Sequence, residues 1–135
     1  MTGKTHINNY LLMSHCVFPC PNIELTASFY VNALGFRAVE HLAAREPHIC
    51  LYRDDTEIIL TSANTERVFP NRELYGYGYD AYFITKNQEE LQNEFVHNGA
   101  KLVKPLQLAD YNNLEFVIED IDGRWLAFGI KLDPH

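Results

Sequence analysis

Apolar residues dominate the stretch NYLLMSHCVF, Asn9 to Phe18, until Pro19 and Pro21 close it, which predicts a buried strand. From Asn22 the period changes. Ile23, Leu25, Phe29, Tyr30 and Leu34 fall near one helical stripe, Asn22 stands at the position of an N-terminal cap, and Gly35 at that of a C-terminal one. Beyond that helix of about three turns, RAVEHLA and HICLYRDDTEIILTSA read as three strands, the last two turning at Asp54-Asp55.

The segment NTERVFPNRELYGYGY has no period and mixes Pro70, Gly76 and Gly78 with aromatics, so it reads as a long connecting loop. Then the order of elements repeats. DAYFIT is a strand, and KNQEELQNEFVHNGA a helix with Leu91, Phe95 and Val96 on one side, Glu89 and Glu90 in its first turn, and Gly99 ending it. KLVKPLQLA holds a short strand interrupted by Pro105, and EFVIED with RWLAFGIKL forms a closing hairpin around Asp122-Gly123. The expected class is α+β. One module spans roughly 9–63, a linking loop roughly 64–78 and a second module roughly 79–132, a repeat carried by element order more than by residue identity.

Composition narrows the function classes. The chain has 135 residues, enough for one domain or two small halves sharing a core. A net charge of −7, with the basic residues forming no run, argues against nucleic acid and would tolerate a cationic small molecule. No stretch reaches the ~20 apolar residues of a transmembrane helix, and the N-terminus lacks the basic and apolar regions of a signal peptide, so the expected location is the cytoplasm. Cys16, Cys20 and Cys50 are odd in number and make no C-x-x-C pair, which predicts reduced, partly buried thiols.

Two pieces carry a family likeness. NIELTASFYVNALGF resembles the first-helix signature of the vicinal oxygen chelate superfamily (glyoxalase, bleomycin-resistance protein, extradiol dioxygenase), D-L-x-x-S-x-x-F-Y-x-x-x-L-G-F. Asn22, Ile23 and Thr26 stand for its Asp, Leu and Ser, and Phe29-Tyr30 and Leu34-Gly35-Phe36 match. EDIDGRWLAFG resembles the family's D-P-D-G hairpin, with Ile121 in place of Pro. The resemblance implies two βαβββ modules curving into a half-open barrel around a cavity, in a homodimer. It also implies that metal-dependent members hold a divalent ion with His or Glu from the first and last strands of each module.

Such an ion needs three or four protein ligands, and few are found. His15 falls at the first-strand position. The first module's closing strand offers Ile58, Ile59 and Leu60, with no donor. In the second module Asp80, with Tyr79 as the alternative, stands where relatives have His, and Ala127 where they have Glu. The expectation is therefore no metal, no cofactor and no catalytic residue, since no G-x-S-x-G elbow or phosphate loop is present either.

Strand alternation predicts a cavity face instead. His15 facing inward brings Met13 and Val17 with it; Asp80 brings Tyr82 and Ile84; Ala127 brings Trp125 and Gly129. The loop Tyr75-Gly76-Tyr77-Gly78-Tyr79 offers flat amphipathic rings on a permissive backbone. The candidate ligand contacts are His15, Val17, Tyr77, Tyr79, Asp80, Tyr82, Trp125 and Ala127. The expected function is metal-free binding of a small molecule, cationic or aromatic, as in the bleomycin-resistance branch. The competing expectation is a glyoxalase-like lyase, isomerase or thiol transferase, either metal-dependent or using His15 as base.

Overall fold

Helix α1, Ile23–Leu34, starts where the Asn22 side chain accepts the backbone N–H groups of Glu24 and Leu25 at 3.1 and 3.0 Å. It ends at Gly35, whose φ of 74° lies in the left-handed region. A side chain there would also meet the Arg53 guanidinium at 2.8 Å, so glycine is required twice over. The structure is a computed structural model that describes residues 8–132.

Strand β1 (Cys16–Cys20) pairs in parallel with β4 (Thr56–Ser62), which is followed across the sheet by β3 (His48–Arg53) and β2 (Arg37–His41). Helix α2 (Asn71–Tyr75) leads to the second half. There β5 (Ala81–Ile84) pairs in parallel with β8 (Trp125–Lys131), then come β7 (Asn113–Glu119) and β6 (Lys101–Leu108), with helix α3 (Gln88–His97) after β5. The two four-stranded sheets have the same order, the twice-repeated βαβββ plan expected from the sequence. No described helix is long and apolar enough to cross a membrane.

Three boundaries differ from the sequence reading, each for a physical reason. The first strand begins at Cys16, not Asn9, and runs through Pro19. Its partner β4 starts just after the Asp54-Asp55 turn, so a parallel strand finds no ladder to join before His15; Tyr10, Leu11, Leu12 and Met13 are left exposed. Pro19 is tolerated because β1 is an edge strand. The linking loop contains α2, pinned where the Asp80 carboxylate accepts the Asn71 N–H (3.0 Å) and Arg72 donates to the Gly123 carbonyl (2.5 Å). Finally, β6 runs unbroken through Pro105, since it too lies at an edge and its register shifts against β7 on both sides of Lys104.

One core spans both halves. Tyr30, Leu34, Ile49, Leu51, Ile58 and Leu60 from the first meet Phe95, Phe116, Ile118, Leu126 and Phe128 from the second. Phe83, Phe128 and Phe116 stack in series, with centroids 4.9 and 5.2 Å apart, and Phe95 meets Phe128 edge-on.

The halves are also tied by a buried polar knot. Tyr30 and Thr26 of α1 donate to Asp120 and Asp122 of the closing turn, each at 2.6 Å. Arg124 donates to both carboxylates, at 3.0 and 3.1 Å, and to the Pro19 carbonyl. The second Asp120 oxygen accepts the backbone N–H groups of Asp122 and Arg124 at 2.9 Å. Burial pushes the Asp120 carboxyl above its ordinary value, against the Arg124 charge and the Tyr30 bond that lower it. Burial and then Asp120 hold the Tyr30 phenol well above its own. The helix signature and the hairpin motif, some ninety residues apart in the chain, are thus the two sides of one contact.

Candidate functional site

The second sheet leaves a cavity of about 760 Å³ on its face away from α3, between the Tyr77–Tyr79 segment and the β6–β7 turn. Its floor is built around a charged residue in an otherwise apolar strand. Glu115 of β7 is 3% exposed, and three phenols converge on it. Tyr79 and Tyr111 donate to Oε2 at 2.7 and 2.5 Å, and Tyr82 donates to Oε1 at 2.8 Å. Asn113 fixes the Tyr82 hydroxyl from the other side at 2.7 Å. A buried carboxylate with three good donors is fully satisfied, so this floor is rigid.

Gly129 on β8 makes the arrangement possible. It sits opposite Glu115 in the ladder, and a Cβ there would come within 2.4 Å of the Leu114 carbonyl oxygen and 2.6 Å of the Glu115 Cβ. The walls are aromatic and their faces are already visited by cations. Lys104 Nζ lies 5.6 Å from the Tyr79 ring centre and 5.5 Å from that of Trp125, and the Arg72 guanidinium lies 4.4 Å over Trp125. Glu119 receives the Trp125 indole N–H (3.1 Å) and lies 3.5 Å from Arg72, which fixes the ring in the cavity wall.

Burial, with the neighbouring Glu115 carboxylate adding to it, raises the phenols of Tyr79 and Tyr111 and pushes Tyr82 up to about 12, against the bond from Asn113 that lowers it. All three therefore remain donors at neutral pH. An unfolded tyrosine titrates near pH ~10. A folded value above the unfolded one gives stability that is complete below that pH and is lost as pH rises through the folded value. The expected result is a urea midpoint that is level near neutral pH and falls once the pH passes about 10, with the fall reduced in Glu115→Gln. Tyrosinate absorbance followed on the same samples checks it; a midpoint that stays level into strong alkali would contradict the phenol–carboxylate account.

The residues singled out from the sequence fall in more than one place. Tyr77, Tyr79, Tyr82 and Trp125 line this cavity together. Val17 and Asp80 line a second groove, of about 730 Å³, between β1, the 63–71 segment and Arg124. His15 lies on the open face of the first sheet, its Nε2 3.3 Å from Glu57. Ala127 is fully buried in the ladder between Tyr82 and Val117. The floor and rim residues Glu115, Tyr111, Asn113, Lys104 and Arg72 were not foreseen. Glu115 was within reach: a hairpin turning at Asp122-Gly123 pairs it with Gly129, a residue already placed on the cavity side.

The family model described as "Glyoxalase/Bleomycin resistance protein/Dioxygenase superfamily" matches residues 12–128. The chain belongs to the glyoxalase/bleomycin resistance protein/dioxygenase superfamily. Solved superfamily-like structures agree on the fold. A member of this superfamily from Sphaerobacter thermophilus superposes with a TM-score of 0.68 at 19% identity, covering 88% of this chain and 97% of that one. A glyoxalase family protein from Enterococcus faecalis gives 0.65 at 21% identity, covering 89% and 98%. TioX from Micromonospora sp. ML1 gives 0.65 at 17% identity, covering 89% and 100%. No curated protein matches the chain.

Within the superfamily, the strand positions associated with a divalent ion can now be tested against the side chains present. The reading of Ile58, Ile59 and Leu60 as leaving the first module without a donor needs correction. The β1–β4 register sets Cys16 against Ile58, which brings Glu57 to His15. The second module offers less. Asp80 spends one oxygen on the Asn71 N–H and the other on the Trp125 N–H (3.0 and 2.9 Å), and Ala127 has no donor. His15 and Glu57 are two donors where three or four are needed, so this set does not fit the superfamily's ion.

Proposed function

We propose that the chain is a small-molecule binding protein of the cytoplasm that holds a planar aromatic guest in the tyrosine–tryptophan cavity without a metal ion in that cavity. The observation that carries this reading is the convergence of Tyr79 and Trp125 on the Lys104 ammonium above the Glu115 floor. A flat ring gains stacking area from the two walls, and an anionic substituent on it gains Lys104. A cavity of about 760 Å³ suits a small organic molecule. Of the two guest classes expected from the sequence, the cationic one is the less favoured, because Lys104 and Arg72 already bring two positive charges to the cavity wall and would repel it.

Trp125 is the chain's sole tryptophan, which makes the cavity its own reporter. Titration with planar dyes bearing carboxylate or sulfonate groups is expected to quench its emission saturably, more strongly than matched cationic dyes. Tyr79→Ala should weaken binding roughly five- to tenfold, in line with the ~1 kcal/mol of an aromatic pair. Absence of quenching by every dye would dispose of the reading. The proposed assembly is a homodimer, supported by the exposed apolar run from Tyr10 to Met13 and checked by solution mass on the same material.

One observation favours the enzymatic alternative. Glu57 beside His15 is the arrangement that orients an imidazole as a general base on an open sheet face. Lyase, isomerase or thiol-transferase turnover that disappears in His15→Ala would select it.

A further inference from the structure

Outside the cavity, the β2–β3 hairpin gathers three metal-binding side chains on the open face of the first sheet. His41 and His48 are cross-strand partners at the hairpin's closing end, and Cys50 is two residues further along β3 on the same face. One donor atom from each lies within 4.8 Å of the others. The two imidazoles are stacked with their planes nearly parallel, 22° apart with centres at 4.8 Å, so the two rings are held side by side over Cys50.

A second observation fixes the chemistry. His48 Nδ1 lies 2.8 Å from the carbonyl oxygen of Glu46. A carbonyl can only accept, so Nδ1 carries a proton and Nε2 is the nitrogen left to bind an ion. This is the arrangement by which backbone carbonyls orient metal-ligating histidines. His41 is exposed while Cys50 is buried, so the ion would be gripped from below by the thiolate and closed from the solvent side by His41.

We propose that His41, His48 and Cys50 form a transition-metal site of the Zn²⁺ class, built on residues other than His15 and Glu57 and independent of the aromatic cavity. Two imidazoles and a thiolate are borderline-soft donors, which select Zn²⁺, Co²⁺ or Cu²⁺ over Mg²⁺ and Ca²⁺. Metal–ligand lengths of about 2.0–2.3 Å put tetrahedral donors roughly 3.3–3.8 Å apart. A small rotation of His41 closes that difference. Three protein ligands leave a fourth position open, and it borders a groove of about 650 Å³ that His48, Arg45 and Ile59 help to line. A water or a small anion entering that groove would complete the coordination, with Arg45 at hand for the anion's charge.

The test is titration of the full chain with Zn²⁺ by calorimetry and with Co²⁺ by absorbance. One ion per chain is expected, with the near-ultraviolet thiolate-to-Co²⁺ charge-transfer band. His41→Ala, at an exposed position, should weaken binding at least tenfold and leave the unfolding curve unchanged. Cys50→Ser should remove the band, and Mg²⁺ should not compete. His15→Ala should bind as the parent does. Failure of Zn²⁺ and Co²⁺ to bind stoichiometrically would overturn the site. So would binding that survives His41→Ala and Cys50→Ser, or binding that is lost only in His15→Ala. Because the dye titration of Trp125 does not involve these residues, either proposal can fail without the other.

Discussion

Replacing Asp120 by Asn is expected to cost about 3–5 kcal/mol, the range for removing one partner of a buried ion pair. Asp120 and Arg124 have side chains that are 0% and 3% exposed, and the carboxylate takes four hydrogen bonds. An Asn in this place can keep the backbone bonds through its oxygen, but its NH₂ then points at the Arg124 guanidinium and the Tyr30 hydroxyl, donor against donor. The Arg124 charge is left buried with Asp122 alone. Against a typical domain stability of ~5–15 kcal/mol, a loss of that size removes about a fifth of the total at the least. Urea unfolding at neutral pH would measure it. A double variant, Asp120→Asn with Arg124→Met, should recover part of the loss, since the uncompensated charge is gone. A single-variant loss under ~1 kcal/mol would mean that the knot adds little to the core that joins the halves.

Gly129→Ala is the second change expected to have a large effect. The added methyl would meet the Leu114 oxygen at 2.4 Å and the Glu115 Cα at 2.8 Å, both backbone atoms of the adjoining central strand. Neither can move without opening the β7–β8 ladder. Overpacking of this kind costs about 1–3 kcal/mol. It should also reach the cavity, because the strand that must shift carries the carboxylate on which Tyr79, Tyr82 and Tyr111 converge. The expected signature is therefore a lowered urea midpoint together with a changed Trp125 emission and weaker dye binding. Parent-like behaviour in all three would show that β7 accommodates the methyl, and the account of Gly129 as the space for Glu115 would have to be dropped.

The fold was legible where local chemistry is decisive. Asn22 and Gly35 cap α1 because their side chain and φ do so almost regardless of context, and Asp122-Gly123 turns the chain for the same kind of reason. What escaped the sequence depended on pairing. The apolar run before Cys16 looks like a strand, but strands need a partner, and β4 starts too late to supply one. Glu57 was overlooked at His15 because a parallel register between β1 and β4 cannot be read from either strand alone. The cavity's aromatic side was visible in Tyr77, Tyr79, Tyr82 and Trp125, whose ring chemistry announces itself. Its floor was not, since Glu115 becomes a site residue only once β7 and β8 are aligned and three distant phenols are brought to it. Asp80 shows the converse: a carboxylate in the right place whose oxygens are taken by two backbone N–H groups.

The knot between α1 and the closing turn has a consequence for the order of events during synthesis. The Tyr30 hydroxyl is paired with a carboxylate that enters the chain 90 residues later. At translation rates of roughly 5–20 residues per second, α1 leaves the ribosome and waits roughly 5–20 s for its partner. During that interval the nascent first half has its own sheet and helix but not the polar contact that ties that helix to the second half. The first half therefore completes its polar contacts only after the closing hairpin has been made, with that hairpin acting as the latch.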